Sequence, residues 1–294
     1  MAWLEVSIQI NEHQLESLED QLLELGALAV TLCDSKDFPV LEPAVGETPL
    51  WPYIKVTGLF AEGTSKLVIA NQLAQLEFIQ QASDISFAEL QDTDWERSWM
   101  DRFEAMQFGK NLWIYPSNIS IPSALDATII SLDPGLAFGT GTHPTTALCL
   151  EWIDSQNFTD KVVIDYGCGS GILAIAAALK GARKVYAIDN DPQAILASKE
   201  NARRNKVSGQ IVTAMPDIEI PAADILLANI LAQPIIDLST QLIAALKEHG
   251  KLVLSGILVE QQQAVLETYQ PCCQLLSVDT VDGWVRISGQ KNAN

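Results

Sequence analysis

The sequence predicts an α/β protein in two parts, and two patterns in the chain carry that prediction. From Lys161 onward, short apolar runs alternate with helical stretches, which is typical of a doubly wound, mostly parallel, Rossmann-like sheet covered on both faces. The first ninety residues instead follow the order β-α-β-β-α-β, which is typical of a small ferredoxin-like α+β domain. We therefore expect a first domain at residues 1–90, a helical linker at 91–109 and the doubly wound domain at 110–294.

The first domain is predicted from the spacing of its apolar residues. Residues 3–10 alternate apolar and polar side chains with period two, as a half-buried strand does. A helix follows and ends at Gly26. Its apolar positions, at helical spacing, are Leu15, Leu18, Leu22 and Leu25. Further strands are expected at residues 28–33, 53–60 and 85–90, and a second helix at 65–76.

The linker is predicted to be a helix that begins near Asp92. Trp95, Trp99 and Phe103 recur at four-residue spacing, so they share one face of that helix. Such a stripe usually packs against a neighbouring domain, although large aromatic side chains could also bind a partner.

The second domain is predicted as a series of short apolar strands separated by helices. These strands are expected at residues 162–165, 184–188, 211–213, 224–228 and 251–254. Two later strands, at 275–278 and 284–288, are joined by a turn that contains Asp282-Gly283, a dipeptide typical of tight hairpins. We expect this hairpin to add an antiparallel edge strand to the sheet.

The charge of the chain limits the class of partner. With 18 basic and 37 acidic residues, the formal net charge is −19. An acidic protein repels the phosphate backbone, so direct binding of nucleic acid is disfavoured, whereas a basic protein would be attracted. Alternatively, the acidity only keeps the chain soluble.

The sequence predicts neither export nor a membrane span. The first ten residues lack a signal-peptide pattern, and no apolar run approaches the length of a membrane span, so we expect a cytoplasmic protein. The five cysteines have no spacing typical of a metal site, so we expect reduced thiols and no bound metal.

The strongest functional motif is the glycine turn at Asp165–Gly171, between a predicted strand and a predicted helix. Open α/β sheets bind ligands at such strand ends, and glycines let the backbone approach a ligand closely. A dinucleotide-binding turn requires a glycine at its sixth position, where this chain has Ile172. Gly167, Gly169 and Gly171 instead resemble the turn of class I methyltransferases, which approaches the methionine part of S-adenosylmethionine. A tight turn without a ligand is the alternative.

Asp189 is the candidate for binding a ribose. It ends the second strand of the domain about twenty residues after the glycines, where a carboxylate can accept both hydroxyl hydrogens of a ribose. A structural role without a ligand is the alternative for this residue. Asp191, just before Pro192, is better explained as the N-cap of the following helix.

Two further segments could reach the same edge of the sheet. Asn229 follows the fourth strand, and its carboxamide and neighbouring carbonyl groups could orient an amine, although asparagine at a strand end is often only a turn residue. In the Gly- and Thr-rich loop at 132–146, Phe138 could cover the cofactor and Thr146 could contact its polar end. His143 could act as a general base, but a lone histidine before proline is more often a loop residue.

Five segments taken together closely resemble bacterial methyltransferases of ribosomal protein L-eleven (L11). The resemblance runs in order over most of residues 110–289. It extends to the front of the chain, because that family has a small ferredoxin-like substrate-recognition domain and a helical connector ahead of its catalytic domain. The segments are Leu132–Thr146, Val163–Gly171, Ala187–Pro192, Ala228–Ala232 and Leu254–Leu258.

The resemblance implies an S-adenosyl-L-methionine-dependent N-methyltransferase of class I fold. By motif, it assigns cofactor binding to Thr146, Gly167, Asp189 and Asn229, with Asn229 also positioning the amine. The implied substrate is the basic ribosomal protein L-eleven, trimethylated on lysine and N-terminal amino groups. One departure is Asn190, at a position where an apolar residue also occurs in the family.

Three other functions stay open from the sequence. The chain could be a methyltransferase acting on another protein or on a small molecule, which the residues do not distinguish. It could be an NAD-dependent oxidoreductase, which Ile172 at the required glycine position disfavours. It could also be a non-catalytic ribosome-associated module with a vestigial cofactor site, against which the intact glycine turn and Asp189 argue.

Overall fold

In a computed structural model, the protein divides into two compact units, Met1–Trp95 and Glu96–Asn294. The structure describes residues 2–36, 50–91, 104–122, 127–133 and 141–293. The predicted aromatic stripe of the linker lies outside these residues. None of the helices they form is both long enough and apolar enough to cross a membrane.

Unit 1 has the predicted order of strands and helices. Its four strands are all antiparallel to their neighbours and lie in the order β2-β3-β1-β4. The ferredoxin-like assignment itself stays a prediction. The elements are β1 (Ala2–Asn11), α1 (Leu15–Glu24), β2 (Ala29–Asp34), β3 (Tyr53–Phe60), α2 (Lys66–Leu73) and β4 (Ile85–Gln91). Short 3-10 turns precede α1, at Glu12–Gln14, and β4, at Ala82–Asp84.

Both helices of unit 1 contribute to one apolar core. Leu18 and Leu22 from α1 and Leu73 from α2 are fully buried, in the same cluster as Val6 and Val56 from the sheet. This burial follows from the alternation that predicted the strands, because every second side chain of a strand points to the same face.

The first described strands of unit 2 form a small sheet that the sequence did not predict. Its strands are β5 (Met106–Phe108), β6 (Leu112–Tyr115) and β7 (Thr128–Ser131). The prediction of a helical linker over 91–109 is therefore wrong at its end, where residues 106–108 form β5. Gly109 explains the difference, since its φ of +64° reverses the chain and lets β5 pair with β6.

The main sheet of unit 2 confirms the predicted doubly wound fold with an antiparallel edge strand. Seven strands lie in the order β10-β9-β8-β11-β12-β14-β13, and the first five of these are parallel. β14 runs antiparallel to β12, and β13 pairs antiparallel with β14 through the hairpin predicted at Asp282-Gly283, so β13 forms one edge of the sheet. The strands are β8 (Val162–Tyr166), β9 (Lys184–Ile188), β10 (Ile211–Ala214), β11 (Ala223–Asn229), β12 (Leu246–Leu258), β13 (Cys273–Val281) and β14 (Trp284–Lys291).

Helices cover both faces of this sheet. Along β8, Val163 belongs to one buried cluster while Val162 and Ile164 belong to another, so the strand is buried on both sides. The helices are α3 (Pro144–Ser155), α4 (Ile172–Leu179), α5 (Pro192–Arg204), α6 (Ala232–Asp237), α7 (Ser239–Ala244) and α8 (Gln262–Tyr269), with a 3-10 turn at Val259–Gln261.

We expect the Tyr269 hydroxyl to stabilise the helix that follows β11. Tyr269 at the end of α8 is buried, and its hydroxyl donates to the carbonyl of Ile235 in α6 at 2.8 Å. Tyr269→Phe keeps the ring but leaves that carbonyl without this donor, so the free energy of unfolding should fall by about 1–2 kcal/mol in urea titrations. Thr268→Val is the control, because it removes an exposed hydroxyl that donates to Ala264. Equal losses in the two variants would contradict the prediction.

Candidate functional site

A cavity of about 630 Å³ lies along the carboxyl edge of the parallel strands in unit 2. Its lining follows the order of the strands across that edge. Asp189 stands after β9, Gly167 after β8, Asn229 at the end of β11 and Gly256 within β12. Trp284 also lines the cavity, because β14 runs antiparallel and begins beside the end of β12. The site therefore combines residues that are far apart in the sequence.

The glycine turn is fixed to the neighbouring strand by its own backbone. The N–H groups of Gly167 and Cys168 both donate to the carbonyl of Ile188, at 2.8 and 3.0 Å. Gly167 and Gly171 have φ angles of +75° and +79°, a conformation that residues with a Cβ rarely adopt. Helix α4 starts immediately after Gly171, so its N-terminus is at the site.

Asp189 faces the cavity and also holds the turn in place. One carboxylate oxygen accepts from the N–H of Gly169 at 2.9 Å, and the other accepts from the N–H of Asp191 at 3.0 Å. Each carboxylate oxygen has two lone pairs, so Asp189 retains capacity for a pair of hydroxyl donors. Asp191 caps α5 as predicted, since its side chain accepts from the N–H of Gln193 at 2.8 Å.

Ile230 packs between two glycines, one in the turn after β8 and one within β12. A Cβ on Gly167 would lie 2.1 Å from the Cγ2 atom of Ile230, and a Cβ on Gly256 would lie 2.2 Å from its carbonyl oxygen. Gly256 has a φ of +87° and sits where the pairing of β12 with β14 shifts register. The two close approaches fix the position of the segment that carries Asn229.

Asn229 presents a buried acceptor at the cavity. Its Nδ2 donates to the Oγ1 of Thr146 at 3.3 Å, and its Oδ1 is buried with no hydrogen-bond partner among the described residues. A buried amide oxygen normally finds a donor, so this atom can accept an N–H from a bound molecule. Thr146 itself is fully buried behind Asn229, and the neighbouring Thr145 is the one that lines the cavity.

His143 lines the cavity as the N-cap of α3. Its Nδ1 accepts from the N–H of Thr145 at 3.3 Å and lies 2.8 Å from the Thr145 hydroxyl. Burial lowers the pKa of His143, which favours the neutral ring. In the neutral tautomer with Nδ1 as acceptor, Nε2 carries the proton, and Nδ1 is engaged at the start of α3. Phe138, predicted as a cover for the cofactor, lies outside the described residues.

Asp165, the first residue of the glycine motif, is an additional buried acid that the sequence did not single out. It is fully buried beneath the turn, and one carboxyl oxygen accepts from the N–H of Ala174 at 2.9 Å. The other oxygen has no partner among the described residues. Burial raises the pKa of Asp165 to about 7, the Ala174 hydrogen bond opposes the rise, and the charge of Asp189 adds to it.

Comparison with known proteins points to one family. The family described as Ribosomal protein L11 methyltransferase (PrmA) matches residues 2–292. A ribosomal protein L11 methyltransferase of Pseudomonas fluorescens is 47% identical over 99% of this chain and 100% of its own length. That of Cellvibrio japonicus is 48% identical over 99% of both chains.

A solved structure agrees with the sequence comparisons. The crystal structure of ribosomal protein L11 methylase from Lactobacillus delbrueckii subsp. bulgaricus is similar to 65% of this chain and covers 100% of its own. The TM-score is 0.60 and the sequence identity 32%. The shared part of the two chains therefore has the same fold.

We expect Gly256 to tolerate no side chain. Gly256→Ala places a Cβ against the backbone carbonyl of Ile230, which cannot move aside as a flexible side chain would. Gly283→Ala is the matched control, since Gly283 has a similar φ of +80° but open space around it. The control should lose about 1–2 kcal/mol of unfolding free energy from backbone strain, and Gly256→Ala about 1–3 kcal/mol more. Urea unfolding of both variants measures the difference, and equal losses would show that the close approach is unimportant.

We expect the stability difference between Asp165→Asn and the parent chain to depend on pH. The pKa of Asp165 is about 7 in the fold against ~3.9 in the unfolded chain, so the folded state holds the proton more tightly. The contribution of Asp165 to stability is full below the unfolded pKa and is lost as pH rises through the folded pKa. Between pH 5 and pH 8 the parent should lose about 2–3 kcal/mol relative to Asp165→Asn.

Urea unfolding at several pH values measures this difference. Asp217→Asn, at an exposed carboxylate, serves as the control and should follow the pH profile of the parent. If the free energy of unfolding of Asp165→Asn changed with pH in the same way as that of the parent, Asp165 would not be a buried carboxyl group with a raised pKa.

Proposed function

The chain belongs to the ribosomal protein L11 methyltransferase family, and on that premise we propose that it methylates amino groups of ribosomal protein L11 with S-adenosyl-L-methionine as the methyl donor. The acceptors are lysine and N-terminal amines, carried to the trimethylated state. The observation that carries the proposal for this chain is the unpartnered Oδ1 of Asn229, a buried acceptor at the cavity that also contains Gly167 and Asp189.

The residues at the cavity fit S-adenosylmethionine. Asp189 retains lone pairs for the two ribose hydroxyl groups, and the turn at Gly167 brings backbone close to the cavity without a Cβ. When bound, the donor supplies an activated methyl group, and the carbon–sulfur electron pair stays on sulfur as the nitrogen–carbon bond forms. We propose Gly167, Asp189 and Asn229 as residues that contact the donor, and the fully buried Thr146 as the residue that holds Asn229 in the binding site.

The role of Asn229 is to aim the lone pair of the amine. Oδ1 accepts an N–H of the amine, which directs the lone pair away from that hydrogen and toward the methyl group. Thr146 supports this role from behind, because its hydroxyl accepts from Nδ2 and so fixes the orientation of the carboxamide, whose buried Oδ1 has no partner among the described residues.

The amine must also lose its proton before it can react. A lysine with a pKa near ~10.4 is mostly protonated at pH 7, which is a handicap of roughly 4–5 kcal/mol. Desolvation beside the positive sulfonium disfavours the ammonium form, so we propose that the proton passes to water without a dedicated base. The N-cap role of His143 supports this view.

The organisation of the chain fits a basic protein substrate. The formal net charge of −19 favours encounter with the basic L11 and disfavours naked nucleic acid. We propose that residues 1–90 recognise this substrate, that 91–109 link the two parts, and that 110–294 carry out transfer. The reaction is expected in the cytoplasm, where ribosomal proteins are made.

The test is transfer of labelled methyl groups to ribosomal proteins from cells that lack this enzyme. Label in one large-subunit protein, on amines and located by mass, is the expected result. Label in RNA or a small molecule would keep the methyltransferase but overturn the substrate. No transfer despite measurable cofactor binding would favour the non-catalytic module.

In the same assay, Asn229→Ala should lower kcat by on the order of 10²-fold, because the amine is no longer held in line with the methyl group. Cofactor affinity, measured by calorimetry, should fall by less than about tenfold, since one hydrogen bond is lost. Asn157→Ala is the control, because it removes a side-chain hydrogen bond to Thr159 on the surface. An unchanged kcat in Asn229→Ala would exclude the positioning role.

A further inference from the structure

Trp284 lines the cavity but has no role in the reaction proposed above. It is the first residue of β14, directly after the turn at Asp282 and Gly283, whose φ angles are +50° and +80°. It pairs with Leu258 of β12 and Val281 of β13, and the next residue along β14 is fully buried. The indole is therefore carried by a strand that is anchored on both sides.

The indole forms an aromatic corner with His143. The two ring centroids are 4.8 Å apart and the planes meet at 69°, an edge-to-face contact. Burial lowers the pKa of His143, which favours the neutral form of its ring at this corner. The face of an indole carries the negative part of its quadrupole, so it attracts a cation without an ion pair.

The corner lies on the acceptor side of the cavity, which is the side away from Asp189, where we place the amine that accepts the methyl group. Asp189 follows β9, whereas Trp284 begins β14, four strands further along the sheet. At a spacing of ~4.8 Å per strand, β14 is about 10 Å beyond β11, which carries Asn229. The proposed ribose site and the indole are thus on opposite sides of the proposed amine position.

Repeated methylation changes what the site must hold. Each transfer replaces one N–H by one N–CH3, the released proton goes to water, and the sulfur keeps the electron pair of the broken bond. The product amine is still a cation, yet it offers one hydrogen fewer to Asn229 at every step. Among the described residues that line the cavity, Asp189 is the single charged group, so none of these residues offers this cation a carboxylate on the side of Trp284.

Resting on the proposed function, we propose that Trp284, in contact with His143, binds the methylated ammonium group and so determines how many methyl groups are added. The indole gains contact area and cation–π attraction as methyl groups replace hydrogens. It offsets the hydrogen bonds that Asn229 loses at the same steps. Trp284 is therefore a specificity-determining residue for the second and third transfers.

The first test follows L11 by mass as it acquires one, two and three methyl groups. Trp284→Leu should slow the first transfer less than about threefold and the later transfers about tenfold, so that monomethylated product accumulates. Trp284→Phe, which keeps an aromatic face, should retain the pattern of the parent within about threefold. Trp113→Leu, at a partly buried tryptophan of unit 2 outside the cavity, controls for general loss of packing.

The outcomes separate this inference from the proposed function. Equal slowing of all three transfers in Trp284→Leu, or an unchanged product pattern, would overturn the role of Trp284 alone. A parent chain that adds no methyl group to amines would instead overturn the proposed function.

The second test measures binding of a methylated cation to the parent chain. It does not depend on methyl transfer, and it does not require Trp284→Leu to fold. Tetramethylammonium chloride is titrated into the ¹⁵N-labelled parent chain, and the indole N–H signal of Trp284 is assigned by its absence in Trp284→Phe. Tetramethylammonium should shift this signal, whereas tert-butanol, a neutral molecule of similar shape, should leave it in place. An equal response to both molecules, or none to either, would contradict recognition of a methylated cation.

Discussion

The site depends on the packing of Ile230 between Gly167 and Gly256. The first glycine belongs to the turn at the end of β8 and meets the side chain of Ile230. The second lies in the irregular part of β12 and meets the backbone of Ile230, so one residue fixes the spacing of three strand ends. Protein interiors are packed too tightly to accommodate an added methyl group at such a contact. Asn229 precedes Ile230 directly, so these contacts of its neighbour also fix the position of Asn229.

A layer of buried polar groups lies beneath this contact. Thr146 binds the carboxamide of Asn229, and Asp165 accepts from the start of α4 while its other oxygen stays unpaired among the described residues. Buried polar groups without partners are costly, so folds retain them mainly where a ligand or a proton completes them. The carboxyl group of Asp165 and the Oδ1 atom of Asn229 are two such groups, and both lie at the same edge of the sheet.

The sequence predicted the parts of the fold and site that depend on local pattern. Apolar runs located the main strands, and the glycine turn and Asp189 could be placed because both stand directly after a strand. Gly256 and Trp284 could not be linked to the site, since only the order of strands across the sheet brings them there. The small sheet that includes Met106–Phe108 was missed because strands this short have no clear periodicity.

The antiparallel return of β14 has a consequence for how such a chain can diverge. Asp189, Gly167 and Asn229 all come from the β-α units before residue 230, whereas Trp284 belongs to the last hairpin. The indole at one side of the cavity is thus encoded in a different stretch of the chain from Asp189, Gly167 and Asn229. Under the proposed function, substitutions in the hairpin can reshape the entrance for the amine while the residues proposed to bind the methyl donor are inherited unchanged.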